Sequence, residues 1–129
     1  MTQTITGGLL RLSTVNVSAP NPSDLAAFYI ALLGWDVKAQ EPDWVMLENP
    51  DGGVRLSFQT EPHYVRPVWP GEPDDPQMMM HLEFRVDDLD AAVEHAVSVG
   101  AVLAEHQPQK DSRVCFDPAG HPFCLWVAT

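Results

Sequence analysis

His81 and Glu83 stand two residues apart in the run His81-Leu82-Glu83-Phe84-Arg85-Val86. Residues i and i+2 of an extended chain share a face. An imidazole and a carboxylate so placed can move a proton to or from a bound molecule, or they can simply hold each other in a cleft. Two thiols, Cys115 and Cys124, are too few for a disulfide framework and read as free, buried side chains. His121 belongs to a turn, His95 to the exposed face of a helix and His106 to a connection, the last two solvated. His63 and Tyr64 lie in a proline-rich stretch that can edge a cleft. The chain has no Ser-His-Asp spacing, no phosphate-cradling glycine loop and no Cys-x-x-Cys pair.

The elements that position these groups fit one domain. The chain has 129 residues, 45% of them hydrophobic and 19% charged. That length supports a single core without staples. No apolar run reaches the roughly 18 residues of a membrane span. The N-terminus lacks a basic region before an apolar one, so the expected location is the cytoplasm, where thiols stay reduced. The formal net charge of −11, with seven scattered Lys and Arg, argues against nucleic acid or an anionic membrane as partner.

Residues 60–77 carry five prolines, which forbid regular helix or central strand there. Tyr64, Val65, Val68 and Trp69 make this an ordered connection rather than a free linker. It separates module one, about 9–59, from module two, about 78–128. Asp24 to Gly34 and Asp90 to Gly100 have the same spacing, and Asn49-Pro50-Asp51-Gly52 matches Asp117-Pro118-Ala119-Gly120. The offsets are 66 and 68 residues, so one supersecondary unit occurs twice.

Each unit reads strand, helix, then three strands. Leu12 to Ser18 alternates around Val15 and Val17. Asn21 caps a helix with Pro22 at its first position, and Leu25, Phe28, Tyr29, Leu32 and Leu33 form its apolar stripe up to Gly34. Strands follow near 35–39, 44–48 and 54–59. In the second unit, 79–86 is the first strand. Asp87 or Asp88 caps a helix bearing Leu89, Val93, Ala96 and Val97, which stops at Gly100. Strands follow near 102–105, 113–117 and 123–127. The fold class is α+β with a mostly antiparallel sheet.

Phe28-Tyr29, Leu33-Gly34-Trp35, the run from His81 to Asp90, and Asp117-Pro118-Ala119-Gly120-His121 together resemble the glyoxalase/bleomycin-resistance/dioxygenase family. This is the vicinal oxygen chelate superfamily, and the resemblance is closest to its glyoxalase-like domain branch, over about residues 11–128. It implies two βαβββ modules whose eight strands curl into a cup, with helices on the convex side. In metal-dependent relatives four side chains converge in the cup, from the first and last strands of each module. The cation there polarises vicinal oxygens of the substrate.

Carried onto this sequence, the four positions fall at Thr14, at Ser57 or Gln59, at His81 and at Cys124. A histidine and a glutamate usual at such positions are missing, so the expectation is a cup without a tightly held catalytic metal. A divalent ion such as Zn, Ni, Fe or Mn would fall to His81, Gln59 and Cys124, with Glu83 an off-position acid. Alternation places Thr14, Asn16 and Ser18, then Arg55, Ser57 and Gln59, then His81, Glu83 and Arg85 on the concave face. Trp44, Met46, Trp69 and Trp126 add aromatic and apolar walls. Arg55 and Arg85 favour carboxylates or phosphates unless Glu48 or Glu83 neutralises them.

The resulting expectation is a protein that binds a small organic molecule, by sequestration or sensing, as the bleomycin-resistance relatives do with cationic drugs. The alternatives are a metal-dependent lyase, isomerase or dioxygenase, and a metal-free acid–base enzyme using His81 and Glu83. Relatives are commonly homodimers, so a homodimer is the expected assembly.

Overall fold

Asn21 accepts a hydrogen bond from the Asp24 N–H at 3.1 Å and so starts α1, Pro22–Leu33. Gly34 ends it in the left-handed region at φ 71°. These coordinates are a computed structural model and describe residues 8–128. Expectations about residues 1–7, including the signal region, lie outside the described residues.

Module one contains β1 (Thr14–Ala19), α1, β2 (Asp36–Glu41), β3 (Trp44–Glu48) and β4 (Arg55–Thr60). Its strand order is β1-β4-β3-β2, with β1 parallel to β4 and the other pairs antiparallel. Module two repeats the plan with β5 (Leu82–Arg85), α2 (Leu89–Ser98), β6 (Val102–Leu103), β7 (Ser112–Phe116) and β8 (Pro122–Trp126). Its order is β5-β8-β7-β6, again with one parallel pair. The βαβββ duplication is therefore present as two mixed sheets of four strands each. Asp88 caps α2 through the Ala91 N–H at 3.0 Å.

Several local expectations shift. The first strand of module two is short: residues 78–81 are outside it, and His81 sits just before Leu82. β6 has only two residues. Val97 is exposed, because the stripe of α2 narrows to its Ala96 side. His95 is not merely solvated: its Nε2 lies 3.0 Å from the Leu32 carbonyl at the end of α1.

One core spans both modules. Leu25, Phe28 and Tyr29 of α1 pack with Val45, Leu47, Leu56 and Phe58 of module one and with Ala96, Cys115, Phe123 and Leu125 of module two. The Tyr29 ring stacks on Phe58 at 5.4 Å, and Phe123 lies 6.0 Å from Phe28 and 5.9 Å from Phe84. Such pairs each add about 0.5–1.5 kcal/mol beyond area burial. The apolar faces turned toward the helices leave the opposite sheet faces for polar residues.

Candidate functional site

In module two, parallel pairing sets Glu83 of β5 beside Cys124 of β8, and antiparallel pairing sets Cys124 beside Val114 of β7. The next row is Arg85, Trp126 and Ser112. His81 extends the β5 face by one step, and its Nε2 lies 2.8 Å from Glu83 Oε2. The ligand atoms of His81, Glu83 and Cys124 all lie within 4.8 Å of one another.

These three side chains line a cleft of about 710 Å³, with Trp126 and Ser112 on the sheet and residues 108–111 on the rim. Trp69, from the proline-rich connection, forms another part of the wall. It is held there by ring contacts to His106 at 5.5 Å and Phe116 at 6.5 Å. His106 is therefore a support for Trp69, not only a solvated residue.

A second cleft of about 490 Å³ runs along β1, between Val15–Ser18 and Met78–Leu82. His81 lines both clefts, and Asn16 lines only this one. Neither cleft includes Thr14, Trp44, Arg55, Ser57, Gln59 or Arg85. Ser57 is only 2% exposed and donates to Asn16 Oδ1 at 2.7 Å. Arg55 is neutralised within its own sheet: its Nη2 lies 3.5 Å from Glu48 Oε1, and Lys38 Nζ lies 3.2 Å from Glu48 Oε2. Those two cations hold the Glu48 carboxyl below its usual range.

Register settles which module-one residue matches Cys124. Ser57 is the partner of Asn16 as Cys124 is the partner of Glu83. Gln59, one step further, is exposed and pairs with Trp44. The corresponding trios are thus Thr14, Asn16 and Ser57 in module one, and His81, Glu83 and Cys124 in module two.

Burial pushes the Cys124 thiol up; a bond from Ser112 opposes this and the Glu83 charge adds to it. Cys115, fully buried on the other face, is pushed up to about 11, chiefly by burial. Both cysteines are free.

Tyr29, Tyr64 and His121, which line the second cleft, belong to a polar cluster whose role the sequence did not disclose. Asp117, 1% exposed, accepts from the Tyr29 hydroxyl at 2.8 Å and from the N–H groups of Ala119 and His121 at 3.0 Å. His121 Nε2 lies 2.8 Å from the Ser18 carbonyl and 3.3 Å from the Tyr64 hydroxyl. Tyr64 donates to the Ala119 carbonyl at 2.7 Å. The His121 backbone serves its turn as expected, but its side chain ties that turn to β1. The available signal was Tyr29 itself, since a tyrosine on a buried helix stripe needs a partner for its hydroxyl.

Two βαβββ units with one cleft on a sheet face and another along β1 define the vicinal oxygen chelate fold. The chain belongs to the glyoxalase-like domain family, whose profile matches residues 14–126. Among solved structures it is similar to a glyoxalase/bleomycin resistance protein/dioxygenase family enzyme from Burkholderia phytofirmans PsJN. That likeness has 19% identity and a TM-score of 0.74, over 93% of this chain and 100% of that one. It is also similar to the protein ATC0852 from Agrobacterium tumefaciens, at 21% identity and a TM-score of 0.72, over 94% and 99% of the two chains. A third likeness is to TnmS3, an antibiotic binding protein from Streptomyces sp. CB03234, at 19% identity and a TM-score of 0.61, over 94% and 98%. At these identities the likeness is one of fold. No curated protein matches the chain. Among the described residues, no helix is long and apolar enough to cross a membrane.

Proposed function

We propose that this protein binds a small organic molecule in the module-two cleft, between Trp69 and Trp126 and above the His81–Glu83 pair. The cleft itself carries the reading. Its volume of about 710 Å³ falls within the roughly 300–1,000 Å³ of small-molecule sites. Two indoles give flat apolar walls, and His81, Glu83, Ser112 and Cys124 give convergent polar handles. The fold shared with the antibiotic-binding TnmS3 supports the same reading. With Arg55 paired to Glu48 and Arg85 outside both clefts, neither arginine argues for a carboxylate ligand.

Native mass spectrometry tests it on untagged protein purified without chelator. The expected spectrum shows a retained organic mass that is lost in Trp126→Ala, and it reads at the same time whether the assembly is a homodimer. A stoichiometric divalent ion in place of the organic mass overturns the metal-free form of the reading.

The second reading is a divalent-metal site, favoured by the clustering of an imidazole, a carboxylate and a thiol within 4.8 Å. That donor set fits zinc-type ions with an open position for substrate. Adjacent donors of a tetrahedral zinc stand about 3.3 Å apart, so the His81–Glu83 contact opens only slightly to admit one. His81, Glu83 and Cys124 would hold the ion, with Glu83 in the place the sequence assigned to Gln59. Such an ion supplies Lewis-acid polarisation of a bound oxygen. The chain's own part is to position the donors and to give up the Cys124 proton.

A further inference from the structure

Cys124 is the more accessible of the two free thiols, and it stands in the cleft where the binding reading, on which this inference rests, places the ligand. Cys115 points to the opposite face and is fully buried. A carboxylate only accepts a hydrogen bond, so in the neutral His81 imidazole Nε2 donates to Glu83 across 2.8 Å and Nδ1 carries the lone pair. Nucleophile, base and orienting acid share one cluster, in which a ring nitrogen of His81, a Glu83 carboxylate oxygen and Cys124 Sγ lie within 4.8 Å of one another.

We propose that the cleft captures α,β-unsaturated carbonyl compounds covalently, with Cys124 Sγ adding to the β-carbon while His81, oriented by Glu83, takes the thiol proton. The S–H bond breaks and an S–C bond forms. The π pair of the alkene moves onto the α-carbon and carbonyl as an enolate, and His81 returns the proton to the α-carbon. The product is a thioether, and no oxidant or reductant is consumed. The indole faces of Trp69 and Trp126 suit the flat conjugated system of such a molecule, and the half-exposed position of Cys124 on the cleft floor lets its β-carbon approach. Capture in this form makes sequestration covalent without any second substrate.

The test uses the full chain with N-phenylmaleimide, followed by intact mass and peptide mapping, with N-phenylsuccinimide as the unreactive isostere. The expected result is a single adduct on Cys124, absent in Cys124→Ser, whose rate saturates with maleimide and is slowed by the succinimide. His81→Ala lowers the maximal rate by about 100-fold; Glu83→Gln lowers the maximal rate less. Trp126→Ala raises the half-saturation concentration instead. Unchanged maximal rates in both His81→Ala and Glu83→Gln overturn the proposal. Saturable binding of the succinimide with no adduct on Cys124 overturns capture but leaves the binding reading standing. An adduct that forms without saturation and ignores the succinimide removes both.

Discussion

The Tyr29 hydroxyl donates to Asp117 Oδ2 at 2.8 Å, joining the helix of module one to the last turn of module two across 88 residues of chain. Both side chains are 1% exposed. Burial raises the Asp117 carboxyl, while His121, Tyr29 and two backbone N–H groups pull it back down. The contact is therefore a satisfied polar bridge set inside an apolar core.

Removing one partner of such a bridge leaves the other buried and short of a bond. Tyr29→Phe should destabilise the fold by about 1–3 kcal/mol, read as a lower midpoint in urea. Asp117→Asn should cost less, because the amide oxygen still accepts from Ala119 and His121 and its NH₂ can donate to Tyr29. Equal midpoints for Tyr29→Phe and the parent would refute the bridge.

Tyr29 and Tyr64 are the only tyrosines of the chain. Burial first, and then the Asp117 charge, pushes Tyr29 well above the ordinary 10.0 and Tyr64 up to about 12. Above pH 10 the unfolded chain sheds phenolic protons that the native chain keeps, so stability falls as pH rises through that range. A spectrophotometric titration should show little tyrosinate near pH 10 while the protein is native, then a rise close to pH 12 or with unfolding. A full phenolic step at pH 10 in folded protein would contradict this.

His121 bonds the Ser18 carbonyl of β1 from the module-two turn. His121→Ala should cost about 1–3 kcal/mol by leaving that carbonyl unpaired. Hydrogen exchange offers a local readout, since amides of β1 should exchange faster than those of β7. Uniform protection across the two strands would rule out a local role.

Gly120 has φ 93°, and a Cβ there would fall on the Cγ, Nε and Cζ atoms of Arg66. Gly120→Ala should therefore destabilise both by the left-handed backbone, about 1–2 kcal/mol, and by displacing Arg66. Adding Arg66→Ala should recover the second part alone. A double variant no more stable than Gly120→Ala would show that Arg66 moves aside freely.

Cobalt is a spectroscopic stand-in for zinc at the His81, Glu83 and Cys124 group. If the metal reading holds, titration with Co²⁺ should give a near-ultraviolet thiolate-to-metal band that disappears in Cys124→Ser and weakens in His81→Ala. A flat spectrum at saturating cobalt would dismiss that reading.

The duplication was legible because it is written locally: Asn21-Pro22, Gly34, Asp88 and the two proline-containing turns fix where elements start and stop. Alternation put His81 and Glu83 on one face of the chain, where the structure has them 2.8 Å apart. What alternation could not give was the pairing between strands. Only the register chooses Ser57 over Gln59 as the counterpart of Cys124. Nor could it show that Glu48 had already engaged Arg55 across β3 and β4. The connection was equally opaque, because its side chains act on distant partners. Trp69 turns inward to the module-two cleft while Val65 stays 64% exposed. Asp117 read as a turn residue, and its bond to Tyr29 depends on tertiary packing that no local pattern encodes.

The matched trios carry a consequence for how the two halves divide their labour. Module one holds Thr14, Asn16 and Ser57, none of which ionises near neutrality, at the places where module two holds His81, Glu83 and Cys124. One copy of the backbone carries the ionisable trio, and the other carries neutral side chains at the matching places while sharing its core. The duplicated backbone therefore does not dictate the chemistry of its own surface: the same three places are acidic, basic and thiol-bearing in one module and neutral in the other.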